Sequence, residues 1–225
     1  MTRPQQLPLR VILRDDARFD NFYVGDNTQL FTLLQTFSES FIYFFGPTAS
    51  GRTHLLQAVC HRHHFFYLPL SQYKTFSPRV LEALEEQIGV TIDDIDAVMG
   101  NREWEEALFC FYNRACERKT KLVISGNTSP LQLNCFFSDL KSRLSSTLIF
   151  SLLPLSDEQK SKALQYRAKL RGLSLTDEVT RYLVHHYSRD MHDLLEMLER
   201  LDQASLIEKR KITIPLVKRY EEVDG

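Results

Sequence analysis

The chain alternates short apolar runs with stretches in which apolar residues recur every three or four positions. Runs such as Phe41-Ile42-Tyr43-Phe44-Phe45 are typical of buried strands, because a parallel strand covered on both faces loses its apolar–polar alternation. The stretches with helical spacing predict amphipathic helices between most of these runs. The strands predicted in this way are Phe41–Phe45, Phe65–Leu70, Gly89–Ile92, Lys121–Ser125 and Thr147–Leu152.

The predicted helices support an α/β arrangement. The clearest is Glu103–Cys116, in which Trp104, Leu108 and Phe111 are spaced to share one face. An earlier helix begins after Asp26-Asn27, whose side chains are suitable for an N-terminal cap. Strands that alternate with helices indicate an α/β fold with a mainly parallel sheet.

The pattern changes near Leu155, after which the sequence predicts helices alone. The first of them, Ser156–Arg171, carries a capping signal in Ser156 and Gln159 and has Gly172 as a stop. The later helices are predicted at Asp177–Tyr187, Asp190–Leu206 and, with Pro215 in the first turn, Leu216–Glu222. We therefore divide the chain into an extended arm (residues 1–18), an α/β core (19–154) and a small all-helical domain (155–225).

A glycine-containing loop follows the first predicted strand: Gly46-Pro47-Thr48-Ala49-Ser50-Gly51-Arg52-Thr53. Between a strand and a helix, such a loop is typical of phosphate binding, since glycines let the backbone approach the phosphates and the helix N-terminus supplies N–H donors. Arg52 occupies the place of the usual lysine, and its planar guanidinium does not replace a compact ammonium in the same geometry. We therefore expect nucleotide binding to survive more readily than fast hydrolysis. Taken alone, the loop also fits a strand-to-helix turn without a ligand.

Polar residues follow three later elements. The run Val90-Thr91-Ile92 ends in Asp93 and Asp94, which makes nucleotide binding the favoured interpretation, because one carboxylate can orient Mg²⁺ and the next can position a water. Asn127 follows the fourth strand and could reach a γ-phosphate. Arg143 lies in a short predicted helix and Arg189 opens the last long one. Singly, the asparagine is typical of a turn and each arginine of a protein surface.

Composition limits the kinds of partner that we expect for this chain. The 225 residues carry 28 Lys and Arg against 29 Asp and Glu, and this balance argues against holding nucleic acid through bulk charge. No apolar run reaches the roughly 20 residues that cross a bilayer, and the N-terminus has no signal-peptide core, so we expect a cytoplasmic protein without membrane contact. The four cysteines are expected to be reduced and buried. The cluster Cys60-His61-Arg62-His63-His64 is a poor metal site, since adjacent residues rarely face one centre.

Together these motifs resemble the AAA+ ATPases of the DnaA family over nearly the whole chain. The family implies a P-loop core with a parallel five-stranded sheet, followed by a small helical lid. The resemblance is carried by Phe19–Asn27, the phosphate loop, Ile92-Asp93-Asp94, Ser125-Gly126-Asn127, Lys141-Ser142-Arg143-Leu144 and Ser188-Arg189-Asp190-Met191.

The resemblance also implies site roles. Asn127 would be the first sensor, although initiators of this family usually carry an acidic residue there, and Arg189 would be the lid sensor. Arg143 would be an arginine finger that acts on a nucleotide held by a neighbouring subunit. Thr53 and Asp93 would hold Mg²⁺ through the nucleotide, and Asp94 would complete the acidic strand end. Bound ADP or ATP would contact Tyr23, Val24, Asn27, Gly46, Pro47, Thr48, Ala49, Ser50, Gly51, Arg52, Thr53, His54 and Arg189.

The arm carries one further motif. Gln6-Leu7-Pro8-Leu9 resembles the short sequence by which members of this family dock on the sliding clamp of DNA polymerase. The implied function is negative regulation of replication initiation: the nucleotide-bound protein docks on the clamp, meets DNA only through it, and stimulates ATP hydrolysis by the initiator DnaA. A homo-oligomer stays open. The alternatives are an active AAA+ ATPase, such as an initiator or helicase loader, and a small-molecule phosphotransferase, against which the helical C-terminal domain and Arg143 argue.

Overall fold

A parallel sheet forms the centre of the molecule. The computed structural model describes residues 13, 17–208 and 210–221, and within them the sheet has five parallel strands in the order β2-β3-β4-β1-β5. All five predicted strands are confirmed, each end within one residue. The strands are β1 Phe41–Phe45, β2 Phe66–Pro69, β3 Gly89–Asp93, β4 Lys121–Gly126 and β5 Leu148–Ser151.

Helices cover the sheet and continue beyond it. Short 3-10 turns join several elements, and a π-helical turn, Leu183–Tyr187, extends α6. In the described residues no helix is long and apolar enough to cross a membrane. The α-helices are α1 Thr28–Thr36, α2 Arg52–His63, α3 Arg102–Arg118, α4 Ser138–Ser145, α5 Asp157–Leu170, α6 Asp177–Tyr182, α7 Met191–Glu208 and α8 Ile214–Glu221.

The alternating side chains of the strands build two cores, one on each face of the sheet. On β1, Tyr43 packs with α3 and α4, whereas Ile42 and Phe44 pack with α1 and α2. The predicted apolar face of α3 is confirmed, because Trp104, Leu108, Phe111, Tyr112 and Ala115 are all buried. The apolar run at 41–45 thus lacks alternation because both of its faces are covered.

The helices α5 to α8 enclose a separate apolar core. The capping signal of α5 is confirmed: the Ser156 hydroxyl accepts from the Gln159 N–H at 3.2 Å, and the Gln159 side chain accepts from the Ser156 N–H at 2.9 Å. Gly172 follows the last turn with φ +75°, where a side chain is disfavoured. The predicted division at 154/155 falls between β5 and α5.

The helical part is fastened to the segment that precedes α1. Tyr166 donates to the Asp20 carbonyl at 2.5 Å, and Arg167 donates to the Asn21 carbonyl at 3.1 Å. Asn27 was expected to cap α1, but its side chain makes no cap bond. Its amide instead bonds Leu153 in both directions, donating at 3.0 Å and accepting at 2.8 Å, because this buried group needs partners on both sides.

The structure shows where the four cysteines and the cluster Cys60-His61-Arg62-His63-His64 lie. All four cysteines are free thiols; Cys60 is buried, but the expectation of burial was wrong for Cys110 and Cys116, which lie on the solvent side of α3. His63 ends α2 and its ring bonds the Leu34 carbonyl at 3.0 Å. Arg62 also donates to the Gln35 carbonyl at 3.3 Å, so these two residues join α2 to α1. Among the described residues no group of three or more potential ligands could hold a metal ion.

Candidate functional site

A cavity of about 500 Å³ opens where the phosphate loop, the segment before α1 and the helical domain meet. The loop leaves the carboxyl end of β1 and passes into α2, so the first turn of α2 faces the cavity with its free N–H groups. Residues 47–54 all line this space. The predicted phosphate loop therefore lines the cavity from Pro47 onward.

Two glycines give the loop its path. A Cβ on Gly46 would lie 2.6 Å from the Leu152 carbonyl oxygen, and Gly51 has φ +95° with the ring of Phe22 2.9 Å from where a Cβ would be. Because backbone and a packed ring cannot move aside cheaply, glycine is required at both positions. Ala49 adopts φ +63° as well, which costs an alanine about 1 kcal/mol or more.

Arg52 is buried and faces inward. One of its terminal nitrogens bonds the Gly46 carbonyl, and the other pairs with Asp94 Oδ1 at 2.7 Å. Among the described residues, two buried polar atoms here have no partner, Arg52 Nε and Ser50 Oγ. Unpartnered buried donors are costly, and an anionic phosphate beside the loop would supply their acceptors.

Asp93 lies behind the loop at the end of β3, only 2% exposed. It accepts from the Thr53 hydroxyl at 2.7 Å, from Tyr67 at 2.8 Å and from Ser125. Burial, and then Asp93 itself, raise the pKa of Tyr67 well above its usual range, so the tyrosine stays a donor. A hydroxyl and a carboxylate side by side suit Mg²⁺, and Thr53 and Asp93 fit an ion that arrives with a phosphate.

The opposite wall contains only two of the three nucleotide contacts that the resemblance implies before α1. Tyr23 and Asn27 line the cavity, whereas Val24 does not. The Asn27 amide is occupied by backbone partners, so it shapes the wall more than it offers hydrogen bonds. Phe22 packs against His54 at a ring distance of 5.3 Å, and together they add an aromatic surface.

The helical domain supplies cations that the sequence analysis missed. Arg189, the implied lid sensor, lines the cavity, with its Nε 3.7 Å from Asp157. Lys160 and Arg167 on α5 add two more cations to the lining, and the His192 ring on α7 lines the cavity as well. The signal was present: residues 160, 163 and 167 follow helical spacing and share one face of α5. The cavity wall therefore combines several cations with a single lining carboxylate among the described residues, that of Asp94.

Two further predicted site residues, Asn127 and Arg143, do not line this cavity, and neither do Val24, Gly46 and Asp93. Asn127 is exposed at the end of β4, where its backbone N–H donates to Asp96 at 2.6 Å. Arg143 is exposed on α4 beside α3; burial raises the pKa of Tyr112 to about 12, and the charge of Arg143 opposes that rise. The predicted clamp motif at residues 6–9 lies outside the described residues.

A parallel five-stranded sheet, a phosphate loop at the end of β1, acidic residues at the end of β3 and a helical lid over the cavity define the AAA+ class of P-loop proteins. The comparisons with known proteins refine this. Residues 157–220 match the family model described as the lid domain of Hda, and residues 79–151 match the bacterial DnaA ATPase domain. These two matches, one over the lid and one over part of the core, support a DnaA-related AAA+ protein of the Hda/DnaA family.

Solved structures support the fold. Domain III of the Thermotoga maritima initiator DnaA is 18% identical with a TM-score of 0.74, covering 92% of this chain and 95% of that one. AMPPCP-bound DnaA from Aquifex aeolicus is 17% identical with a TM-score of 0.69, covering 84% and 66%. The T. maritima RuvB branch migration motor is 16% identical with a TM-score of 0.66, covering 92% and 73%. At these identities the likeness concerns the fold alone.

Proposed function

We propose that this protein is a nucleotide-bound negative regulator of replication initiation, which docks on the polymerase sliding clamp and stimulates ATP hydrolysis by the initiator DnaA. The observation that carries the proposal is the Hda-type lid behind a DnaA-type ATPase domain. The geometry adds support at the cavity and at Arg143.

The cavity fits an adenine nucleotide. Its loop N–H groups, its several cations and the unpartnered Arg52 Nε and Ser50 Oγ suit phosphates. Thr53 and Asp93 would hold Mg²⁺ beside those phosphates and neutralise part of their charge. The DnaA neighbour was solved with AMPPCP, an observation about that protein that agrees with this ligand class. ADP and ATP both fit these features.

The proposed role needs the nucleotide as a structural ligand, with weak or no hydrolysis. In this proposal Asp94 would be the carboxylate that positions an attacking water, and in this chain it is paired with Arg52 at 2.7 Å. Because the guanidinium holds Asp94 Oδ1, the carboxylate has less freedom to take a position from which it could orient water. The bound nucleotide would then fix the lid against the core, because both line its cavity.

Arg143 would act in trans. It is exposed and is not among the residues that line the cavity of its own chain. An arginine that contacts transition-state charge from a neighbouring subunit contributes about 10³–10⁵ in rate, and an exposed guanidinium on α4 is free to enter such a site. The clamp motif at residues 6–9 would bring this surface to initiators near newly replicated DNA.

The test is a reconstituted hydrolysis reaction. ATP-bound DnaA, clamp-loaded DNA and the full-length protein are mixed, and the conversion of DnaA-bound ATP to ADP is followed with time. We expect conversion to accelerate only when both clamp and protein are present. Conversion that is unchanged by the protein would contradict the proposal.

An active AAA+ ATPase is the second candidate, and the Thr53–Asp93 pair favours it because the Mg²⁺ side of the site is intact. Turnover by the isolated protein separates the two. Steady hydrolysis at about 1 s⁻¹ or faster, an ordinary enzyme rate, would support the ATPase, whereas retention of one bound nucleotide without turnover supports the regulator.

A further inference from the structure

Glu105 is a fully buried carboxylate on the first turn of α3, with 0% exposure. One oxygen accepts from the Gly100 N–H at 2.7 Å, and the other accepts from the Phe137 N–H at 2.9 Å and the Cys135 thiol at 3.1 Å. A buried charge is tolerated only where donors satisfy it. This carboxylate therefore joins the start of α3 and the turn before it to residues 135–137, about 30 residues further along the chain.

The surrounding donors also keep the group ionised. Burial by itself would raise the pKa of Glu105, but the N–H groups of Phe137 and Gly100 and the Cys135 thiol outweigh it, and the net effect lowers the pKa. An ionised carboxylate makes shorter and stronger hydrogen bonds than a neutral amide. The link between α3 and the segment at 135–137 is thus a strong one at neutral pH.

That segment leads directly into α4, the helix that carries Arg143. Phe137 is the residue before the first turn, and Leu140 and Leu144 bury the inner face of the helix. Apolar contacts are non-directional, so Leu140 and Leu144 decide which face of α4 meets the core more firmly than where the helix begins. The Glu105–Phe137 bond is directional and sets where the helix begins. Arg143 follows about 9 Å further along at 1.5 Å per residue.

We propose that Glu105 is a positioning residue for the arginine finger: through Phe137 it fixes the start of α4 and thereby the direction in which Arg143 enters a partner's nucleotide site. This inference rests on the function proposed above. It assigns catalytic importance to a residue that touches neither nucleotide and lies in the core.

The test compares Glu105→Gln with wild type in the DnaA reaction. Glutamine keeps the size but has only one side-chain oxygen to accept, so at least one of the segments loses its anchor. Because misplacement by about 1 Å costs up to 10²-fold in rate, we expect the maximal stimulated rate to fall about 10-fold. The protein concentration for half-maximal stimulation should change less than about 2-fold, since the binding surface persists.

A matched control separates positioning from loss of stability. Leu108→Ala removes a buried side chain one turn along α3 and leaves the carboxylate and its donors in place. It should lower the melting temperature at least as much as Glu105→Gln yet keep the stimulated rate per folded molecule. If Glu105→Gln fails to fold, Cys135→Ala, which removes one donor alone, should give a smaller loss of the same kind.

Hydrogen exchange supplies a readout that does not depend on DnaA. In Glu105→Gln the amides of Gly100 or Phe137 should exchange about 10-fold faster, with those of α2 unchanged. Unchanged exchange, or a stimulated rate that falls only as far as in Leu108→Ala, would overturn the inference. If wild type stimulates DnaA no more than Arg143→Ala does, the proposed function itself is wrong. The positioning of α4 by Glu105 is then tested by hydrogen exchange alone.

Discussion

Two arginines on the same α/β core have opposite surroundings. Arg52, at the start of α2, has 9% of its side chain exposed and is bonded to the Gly46 carbonyl and to Asp94. Arg143, on α4, is exposed and lies outside the cavity of its own chain. The first is bound to its own protein at both ends of its guanidinium, whereas the second is free to reach a partner.

The difference shows how environment assigns a role to a residue type. A buried arginine paired with the carboxylate that would orient water makes the cavity a place to hold a nucleotide. An exposed arginine on a helix that is anchored in the core can stabilise charge in another protein's site. In the proposed function, the site around Arg52 retains its nucleotide, whereas Arg143 promotes hydrolysis in the site of a partner. Each arginine can be tested by itself.

The largest effect is expected from Arg143→Ala. Removing a guanidinium that contacts transition-state charge should lower the stimulated hydrolysis by DnaA about 10³-fold, close to the unstimulated rate. Arg143 is exposed, so nucleotide binding by this chain and its melting temperature should stay the same. The matched control is Arg102→Ala, which removes an exposed arginine at the start of α3. Equal stimulation by both variants would end the distinction between the two arginines.

Arg52→Lys tests the other side of the comparison. A single ammonium cannot bond the Gly46 carbonyl and Asp94 with the geometry of a guanidinium fork, so Asp94 should be released. A freed base restores part of a contribution that is about 10²–10⁴-fold in enzymes, and we expect hydrolysis by the isolated protein to rise about tenfold. Phosphate release measures it. Arg52→Ala is the companion variant: it should lower nucleotide affinity, and unchanged hydrolysis in Arg52→Lys would refute the assigned role of the pair.

The sequence predicts the fold well because the apolar runs at 41–45 and 121–125 are buried on both faces, a condition that leaves a local signature. The phosphate-loop motif is also recognisable within eight consecutive residues, although the groups that require glycine there, the Leu152 carbonyl and the Phe22 ring, come from distant parts of the chain. The inner contacts of Glu105 and Asn27 are not local: each joins segments about 30 or more residues apart in sequence. The cations of α5 were visible as one helical face, but which face covers the cavity depends on packing.

The double substitution Leu7→Ala with Leu9→Ala tests whether clamp binding by the arm brings Arg143 to the initiator. Two anchor side chains in a small apolar pocket should cost about 2 kcal/mol or more, about 30-fold in clamp affinity. Surface plasmon resonance on immobilised clamp measures this loss. Stimulation should be restored at high protein concentration, because Arg143 itself is unchanged. Clamp affinity equal to wild type would remove the arm from the proposed function.

The smallest effect concerns the far end of the helix that begins at Arg52. His63 ends α2, and its ring N–H donates to the Leu34 carbonyl at 3.0 Å. Burial lowers the pKa of His63 below 6.5, outweighing the bond to Leu34, which raises it. The unfolded chain therefore binds this proton more readily, so the stability that neutral His63 contributes is present above pH 6.5 and is lost as the pH falls through the lower folded value.

His63→Gln isolates this pH dependence of stability, because glutamine can donate to the Leu34 carbonyl and does not titrate. Between pH 7.5 and 5.5 we expect the melting temperature of wild type to fall about 1–2 °C further than that of the variant. Arg52 lies at the other end of α2. At pH 5.5 the nucleotide affinity of wild type should therefore fall further than that of His63→Gln, whereas hydrogen exchange of the α4 amides should be the same in both proteins. Identical pH profiles for the two proteins would show that the α1–α2 contact contributes no pH dependence, and a parallel change in α4 would mean that the regions around Arg52 and Arg143 are coupled.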